Sequence, residues 1–343
     1  MASQSFHGAI LGVCNPLLDI SANVGTELLE KYSVSLNNAI LAEEKHQPLY
    51  AEMIKNYPVE YIAGGAGQNS IRVAQWMLGQ PGATAYFGAV GVDEFGATLE
   101  RCAKDDGVLV HYQKNPEVPT GTCAVLVNGG ERSLVANLAA ANTFTASHLD
   151  SAEAQAMIQR AQIFYITGFF LTVSVDTILT IAKHSVEHSK IFAMNLSAPF
   201  LIQFFGDQLA SAIPYTDFVF GNESEAAEYG KAKDYGDDIR TIALKIAAQP
   251  KASGTRPRIV VFTQGSTSTI VAVNGVVTEY PVEPLPKELL VDTNGAGDAF
   301  VGGFLAQLVQ EKPLAECVRA GHFAARTIIQ RSGCSFPKDC TFI

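Results

Sequence analysis

The chain has 343 residues, with 24 lysines and arginines against 34 aspartates and glutamates, and a net charge of −10. Hydrophobic residues make up 48% and charged residues 17%, which supplies a large core and excludes a disordered polymer. The net acidity excludes a general binder of nucleic acid or anionic membrane, although a local site can still oppose the global charge.

In chain order, the compact apolar run Ala9–Cys14 predicts a buried strand. A helix fits Gln68–Leu78, with Ile71, Ala74, Trp76, Met77 and Leu78 on a broad apolar face. Thr84–Val90, Thr122–Val127 and Ser133–Ala136 read as strands. The second half alternates. Strands are predicted at Ile163–Ile166, Ile191–Leu196, Phe218–Phe220 and Ile259–Phe262, and helices at Val175–Val186, Phe200–Ala212 and Ile239–Ala248. This alternation predicts an α/β fold with a mostly parallel sheet covered on both faces. Ile270–Val273 and Val276–Tyr280 flank Asn274-Gly275, a hairpin turn expected at a sheet edge. Two helices follow. The first carries Phe300, Phe304 and Leu308 in one stripe. The second has Pro313 in its first turn and Gly333 as its stop.

At roughly 150 residues per domain, the length predicts two domains or one with an elaboration. Two pieces break the alternation, 23–63 and 116–139, and they are expected to join in space as one small lid domain. Segments 1–22, 64–115 and 140–343 then make the large domain. The six cysteines, Cys14, Cys102, Cys123, Cys317, Cys334 and Cys340, form no CxxC pair and read as reduced thiols of a cytoplasmic protein. No apolar run approaches the ~18 residues of a membrane span. The segment Met1 to His7 lacks the basic start of a signal peptide.

The strongest motif is Asp292-Thr293-Asn294-Gly295-Ala296-Gly297-Asp298, which runs straight into an apolar helix. Its glycines allow close backbone approach, and unpaired amides at a helix start favour an anion. The amides of Gly295, Ala296 and Gly297 would stabilise a transferring phosphoryl group. Asp298, in the first turn, would accept the proton of an attacking hydroxyl. No GxxxxGK[ST] loop is present, which excludes a P-loop kinase.

This string resembles the C-terminal motif of the PfkB carbohydrate kinases, the ribokinase-like family. Gly64-Gly65-Ala66-Gly67-Gln68-Asn69 resembles the family's Gly-Gly motif, Asn222-Glu223-Ser224-Glu225 its Asn-x-x-Glu motif, and Thr263-Gln264-Gly265 its strand-end motif beside the nucleotide. Asn15-Pro-Leu-Leu-Asp19, Pro119-Thr-Gly-Thr-Cys123 and Gly168-Phe-Phe-Leu-Thr172 narrow the resemblance to members that phosphorylate adenosine. It covers essentially Leu11 to Pro337.

The resemblance implies a three-layer α/β/α sandwich with a small α/β lid. It also implies transfer of a phosphoryl group from ATP, with Mg²⁺, to the ribose 5′-hydroxyl of adenosine, in a monomer that binds neither nucleic acid nor membrane. Another nucleoside, a bare sugar, or nucleoside binding without turnover are the alternatives. Asp19, expected to end the first strand of the parallel sheet, could accept hydrogen bonds from two vicinal ribose hydroxyls, helped by Asn15 and Asn69, with Gly64 and Gly65 allowing close approach. Phe169 and Phe200 would wall the base on one side, and Leu41, Cys123, Leu134, Ala136 and Leu138 on the other. Asn195 and Asn294 are implied on the substrate side. Arg132 would reach the transferring phosphate when the lid closes. Asn222, Thr263, Gly265, His322 and Ala325 are implied around ATP, with Glu225 acting indirectly on the metal together with Asn222. Ala39, Ala66 and Gly67 depart from many relatives, and Gly67 is expected to loosen the hinge.

Overall fold

The computed structural model describes residues 6–36, 38–129, 131–252 and 256–343. The first five residues of segment 1–22 therefore lie outside the described residues.

The apolar runs become strands buried along their length, as in Thr84–Gly91 and Ile163–Thr167. A strand covered by helices on both faces has no polar side to alternate with. Nine strands form the large sheet, in the order Val276–Tyr280, Thr267–Val273, Ile259–Gln264, Phe218–Asn222, Ile191–Asn195, Ile163–Thr167, Ile10–Val13, Thr84–Gly91 and Leu109–Asn115. From Ile259–Gln264 to Leu109–Asn115 all neighbours are parallel. The last two strands in sequence make the antiparallel edge hairpin, turned by Asn274 at φ 51° and Gly275 at φ 75°. Ile10–Val13 lies between two strands from which the chain winds outward in opposite directions. Ligands in α/β sheets bind at the strand ends of such a switch point.

The two pieces that break the alternation meet in a second sheet of five strands, ordered Ala39–Leu41, Glu131–Asn137, Thr122–Asn128, Leu17–Asn23 and Glu60–Gly64. Successive side chains of a strand face opposite ways. Ile20, Ala22, Ala124, Leu126 and Val135 pack with Leu28, Leu29, Leu49 and Met53 of helices Thr26–Lys31 and Gln47–Asn56. Leu17, Cys123 and Val125 look the other way, with Leu134, Ala136 and Leu138 beside them. This core is separate from the one around the large sheet.

Several expectations are corrected. Asp19 does not end the first strand of the parallel sheet. The chain leaves that sheet after Val13 and crosses at Asn15-Pro16, and Leu17–Asn23 is a strand of the small sheet, where Asp19 stands opposite Cys123 and Ile62. Residues 17–22 therefore belong with the small sheet. The helix expected at Phe200–Ala212 is two, Pro199–Phe204 and Gly206–Ala212, parted at Phe205, whose backbone leaves the helical region just before a glycine. Pro313 caps helix Leu314–Ile328 from outside its first turn. That helix ends at Ile329, and Gly333 instead gives its amide to Asp292 Oδ2 at 2.6 Å. Gly67 is no loose joint. It is buried in the first turn of helix Ala66–Leu78, where a Cβ would stand 2.5 Å from the Cys14 Cβ.

Helix Ala296–Leu308 packs against both Ala66–Leu78 and Leu314–Ile328. Gly302 permits the first contact, since a Cβ there would lie 2.5 Å from the Ser70 carbonyl oxygen. Gly303 meets the Ala320 carbonyl in the same way on the other side.

Candidate active site

A cleft of about 620 Å³ opens between the two sheets. Its floor is the start of helix Ala296–Leu308. Gly295 precedes that helix at φ 75°, a left-handed conformation natural to glycine, and no side chain caps the terminus. The Ala296 amide closes the turn onto the Thr293 carbonyl at 3.2 Å, so the loop's shape rests on Ala296 while Gly295 and Gly297 line the cleft beside it. Asp298 sits at the third helical position, partly buried, and accepts a hydrogen bond from Asn69 Nδ2 at 3.0 Å. Burial pushes its carboxyl up to about 6, against the pull of that hydrogen bond. A carboxylate tuned this way is ionised at neutral pH and basic enough to take a proton.

Asp19 faces the same cleft from the small sheet. Burial and the charge of Asp298 push it up to about 7, while Arg132 and Arg72 pull the other way. The pocket holds Asp19 against Gly64, where any Cβ would collide with the carboxyl group. Gly65 lies beneath at φ 90°, against the backbone of Asn15. Both amide atoms of Asn15 and the Oδ1 of Asn69 are buried without a partner. Buried polar atoms left open are disfavoured unless something completes them. Both residues line the cleft, from which a polar group can complete them.

Apolar walls flank this polar floor. Phe169 and Phe200 stand together on the large-sheet side, in the short helices that follow strands Ile163–Thr167 and Ile191–Asn195, ring centroids 6.3 Å apart. Leu41, Cys123, Leu134, Ala136 and Leu138 face them from the small sheet. At the other end Asn222, Glu223, Glu225, Thr263 and Gly265 line the cleft. Asn222 and Glu225 form a reciprocal cap: Glu225 N–H donates to Asn222 Oδ1 at 2.9 Å and Asn222 N–H to Glu225 Oε2 at 3.0 Å. Burial pushes Glu225 up to about 7.

Arg132 lies on the small-sheet strand Glu131–Asn137 but pairs with Asp292 of the large sheet's motif loop. It also donates to Ser21 Oγ at 3.2 Å. Asp292 is fully buried at its side chain, and it accepts the amides of Asn294 at 2.8 Å and Gly333 at 2.6 Å. One carboxylate thus joins the small sheet, the anion loop and the chain's C-terminal segment. In this state Arg132 is held by Asp292.

The sequence profile of the pfkB family carbohydrate kinases matches residues 26–340. The chain belongs to the pfkB carbohydrate kinase family. Within it, the chain is 54% identical to adenosine kinase 1 of Arabidopsis thaliana over 343 residues, all of both chains. It is 48% identical to the adenosine kinase of Dictyostelium discoideum, covering 96% of each. In fold it is similar to the crystal structure of Anopheles gambiae adenosine kinase in complex with P1,P4-di(adenosine-5) tetraphosphate, with a TM-score of 0.95 and 53% identity over 98% of this chain and 99% of that one. The Schistosoma mansoni adenosine kinase in complex with 2-fluoroadenosine gives 0.94 and 36%, covering 96% and 98%. The three-layer, ribokinase-like architecture is therefore that of a pfkB kinase.

Not every candidate reaches the cleft of this pfkB kinase. Gly64 stands behind Asp19 rather than in the lining. His322 and Ala325, on helix Leu314–Ile328, are outside it; His322 Nε2 is 2.8 Å from Thr269 Oγ1 and its ring lies near Phe300. Asn195 does line the cleft, yet its Oδ1 accepts the Ser197 amide at 2.9 Å, which fixes a tight turn in which Ser197 has φ 70°. Cys14, Leu17, Asn38, Ile40, Thr172, Ser197, Phe220, Thr293 and Phe300 also line the cleft and were not singled out from sequence. The alternation of Leu17 with Asp19 could have pointed to Leu17; Cys14, Asn38, Ser197 and Thr293 lie outside strands and helices, where no periodicity gives a direction, and Ile40, Thr172, Phe220 and Phe300 sit at or near the ends of their elements, where only the fold shows what they face.

Proposed function

We propose that this enzyme transfers the γ-phosphoryl group of ATP to the 5′-hydroxyl of adenosine, giving AMP and ADP. The observation that carries the reading is the partly buried Asp298 at an uncapped helix start, in one cleft with Asn15 and Asn69, whose buried amide atoms lack partners, between two apolar walls. The company of relatives named adenosine kinase supports it.

In this mechanism Asp19, Asn15 and Asn69 hold the ribose, and Phe169 and Phe200 with the small-sheet wall enclose the base. Asp298 accepts the 5′-hydroxyl proton as that oxygen attacks the γ-phosphorus in line. Amides of the Gly295–Gly297 loop stabilise the charge on the phosphoryl oxygens. Arg132 joins them once it exchanges Asp292 for phosphate. The small sheet, with residues 17–64 and 116–139, acts as a lid that excludes water, a competing acceptor. Among the described residues no cluster of three acidic, histidine or cysteine side chains could hold a metal by itself. Asn222, Glu223 and Glu225 nevertheless offer oxygen ligands to a hydrated ion, which suits magnesium shared with phosphates. When bound, magnesium neutralises phosphate charge.

Recognition of the purine edge falls to Asn38, backbone groups and water, because Ala39 offers no side-chain hydrogen bond. No described helix is long and apolar enough to cross a membrane. We place the protein in the cytoplasm as a monomer. An ADP-release assay with ATP, magnesium and adenosine, run beside inosine, guanosine and ribose, tests the reading. Turnover with adenosine alone is expected. Turnover only with another acceptor moves the substrate, and binding without turnover by any acceptor overturns the enzyme.

A further inference from the structure

Asn69 is only 5% exposed, and its two amide atoms have different fates. Nδ2 donates to Asp298 Oδ2 at 3.0 Å. Oδ1 is buried without a partner in the lining of the cleft. The residue occupies the first turn of helix Ala66–Leu78, and Asp298 the first turn of helix Ala296–Leu308. Those helices touch at Gly302, against the Ser70 carbonyl, one residue from Asn69. The backbone thus fixes the separation of the amide and the carboxylate, and only the amide's plane is left to be set.

We propose that Asn69 is a positioning residue that couples a sugar hydroxyl to the base. The inference rests on the kinase reading above. A ribose hydroxyl donates to Asn69 Oδ1, which locks the amide plane. The same amide then holds Oδ2 of Asp298 in place and leaves the other carboxylate oxygen for the 5′-hydroxyl. An amide that accepts on one side donates more strongly on the other, so the two hydrogen bonds reinforce each other. Asp298 keeps its ordinary task; Asn69 aims it only when the correct sugar is present. The substrate completes its own catalytic site, and discrimination against sugars lacking that hydroxyl appears in turnover rather than in binding alone.

The test compares adenosine, 2′-deoxyadenosine and 3′-deoxyadenosine on the wild-type enzyme and on Asn69→Ala, with kcat and KM measured from pH 5 to 9. On the wild type, one of the two analogues should lower kcat by about 10–100-fold, the scale of a misaligned reacting group. Asn69→Ala should lose kcat with adenosine by a similar factor, and the same analogue should then lower kcat no further. The acid limb of kcat should also move upward in Asn69→Ala, because the lost hydrogen bond favours the ionised form of Asp298. If both analogues raise KM on the wild type while leaving kcat unchanged, the coupling is overturned, and this arm needs no variant to fold. Additive losses in Asn69→Ala, or an unmoved acid limb, overturn it as well. A wild type that does not turn over adenosine at all overturns the kinase reading instead.

Discussion

A carboxylate with a value near 6 sits at the boundary between spectator and base, and Asp298 is held there by burial. Replacing it with asparagine keeps its shape and removes its basicity. Asp298→Asn should leave adenosine binding by calorimetry nearly unchanged and lower kcat by at least ~100-fold. In the wild type, kcat/KM should fall on the acid side as Asp298 protonates, with a midpoint near pH 6. Asp19 is shifted in the same direction and further. Its folded value of about 7 lies above that of a solvated aspartate, so the folded state binds its proton more tightly than the unfolded chain does. The stability this contributes is fully present in acid below the unfolded value and is lost as pH rises through about 7. Asp19→Asn should therefore raise the apo melting temperature at pH 8 by about 1–3 °C. It should also weaken adenosine binding, since a hydroxyl left without its acceptor costs about 1–3 kcal/mol. An unchanged affinity would place the ribose elsewhere.

At the scale of elements, the site depends on how closely two helices approach. Gly302→Ala puts a methyl group against the Ser70 carbonyl and pushes helix Ala296–Leu308 away from helix Ala66–Leu78. The expected result is a kcat loss of about 10-fold or more with little change in nucleotide affinity, read by steady-state kinetics. The same scale shows what sequence could and could not reveal. Buried strands such as Ile163–Thr167, and the Asn274-Gly275 hairpin, announce themselves because composition and turn chemistry agree. The anion loop is equally plain, since its glycines directly precede the apolar run. Leu17–Asn23 is different: nothing in Leu-Leu-Asp-Ile says which sheet it joins, and only its distant partners Thr122–Asn128 and Glu60–Gly64 decide. Gly67 misled for a related reason. A glycine before a helix reads as freedom until Cys14 is seen packed against it. Asp292 looked like the first letter of a motif, and its link to Arg132 is invisible without the fold.

Across the whole molecule, each sheet has its own hydrophobic core, and a third small cluster lies on the cleft face of the small sheet. The smaller core contains few residues, and a small core confers little stability by itself. Calorimetry of the ligand-free protein should show two transitions, the small sheet melting first. Saturating adenosine, which touches both sheets, should merge them and raise the lower one, as any ligand selective for the folded state does. A single transition in both conditions would mean that the sheets unfold as one unit. Arg132→Ala should lower the first transition, because it removes the ion pair that ties the small sheet to the anion loop and leaves Asp292 buried without its counter-charge.

The two halves of the apolar wall belong to different sheets. Leu134, Ala136 and Leu138 ride on one, and Phe169 and Phe200 are fixed on the other. A base clasped between them departs only when the halves part, and parting wets both at once. Exit of AMP therefore waits on the same opening that admits adenosine. Solvent viscosity, which slows an opening clasp but not a proton transfer, should therefore slow the release of AMP and leave a single phosphoryl transfer unchanged.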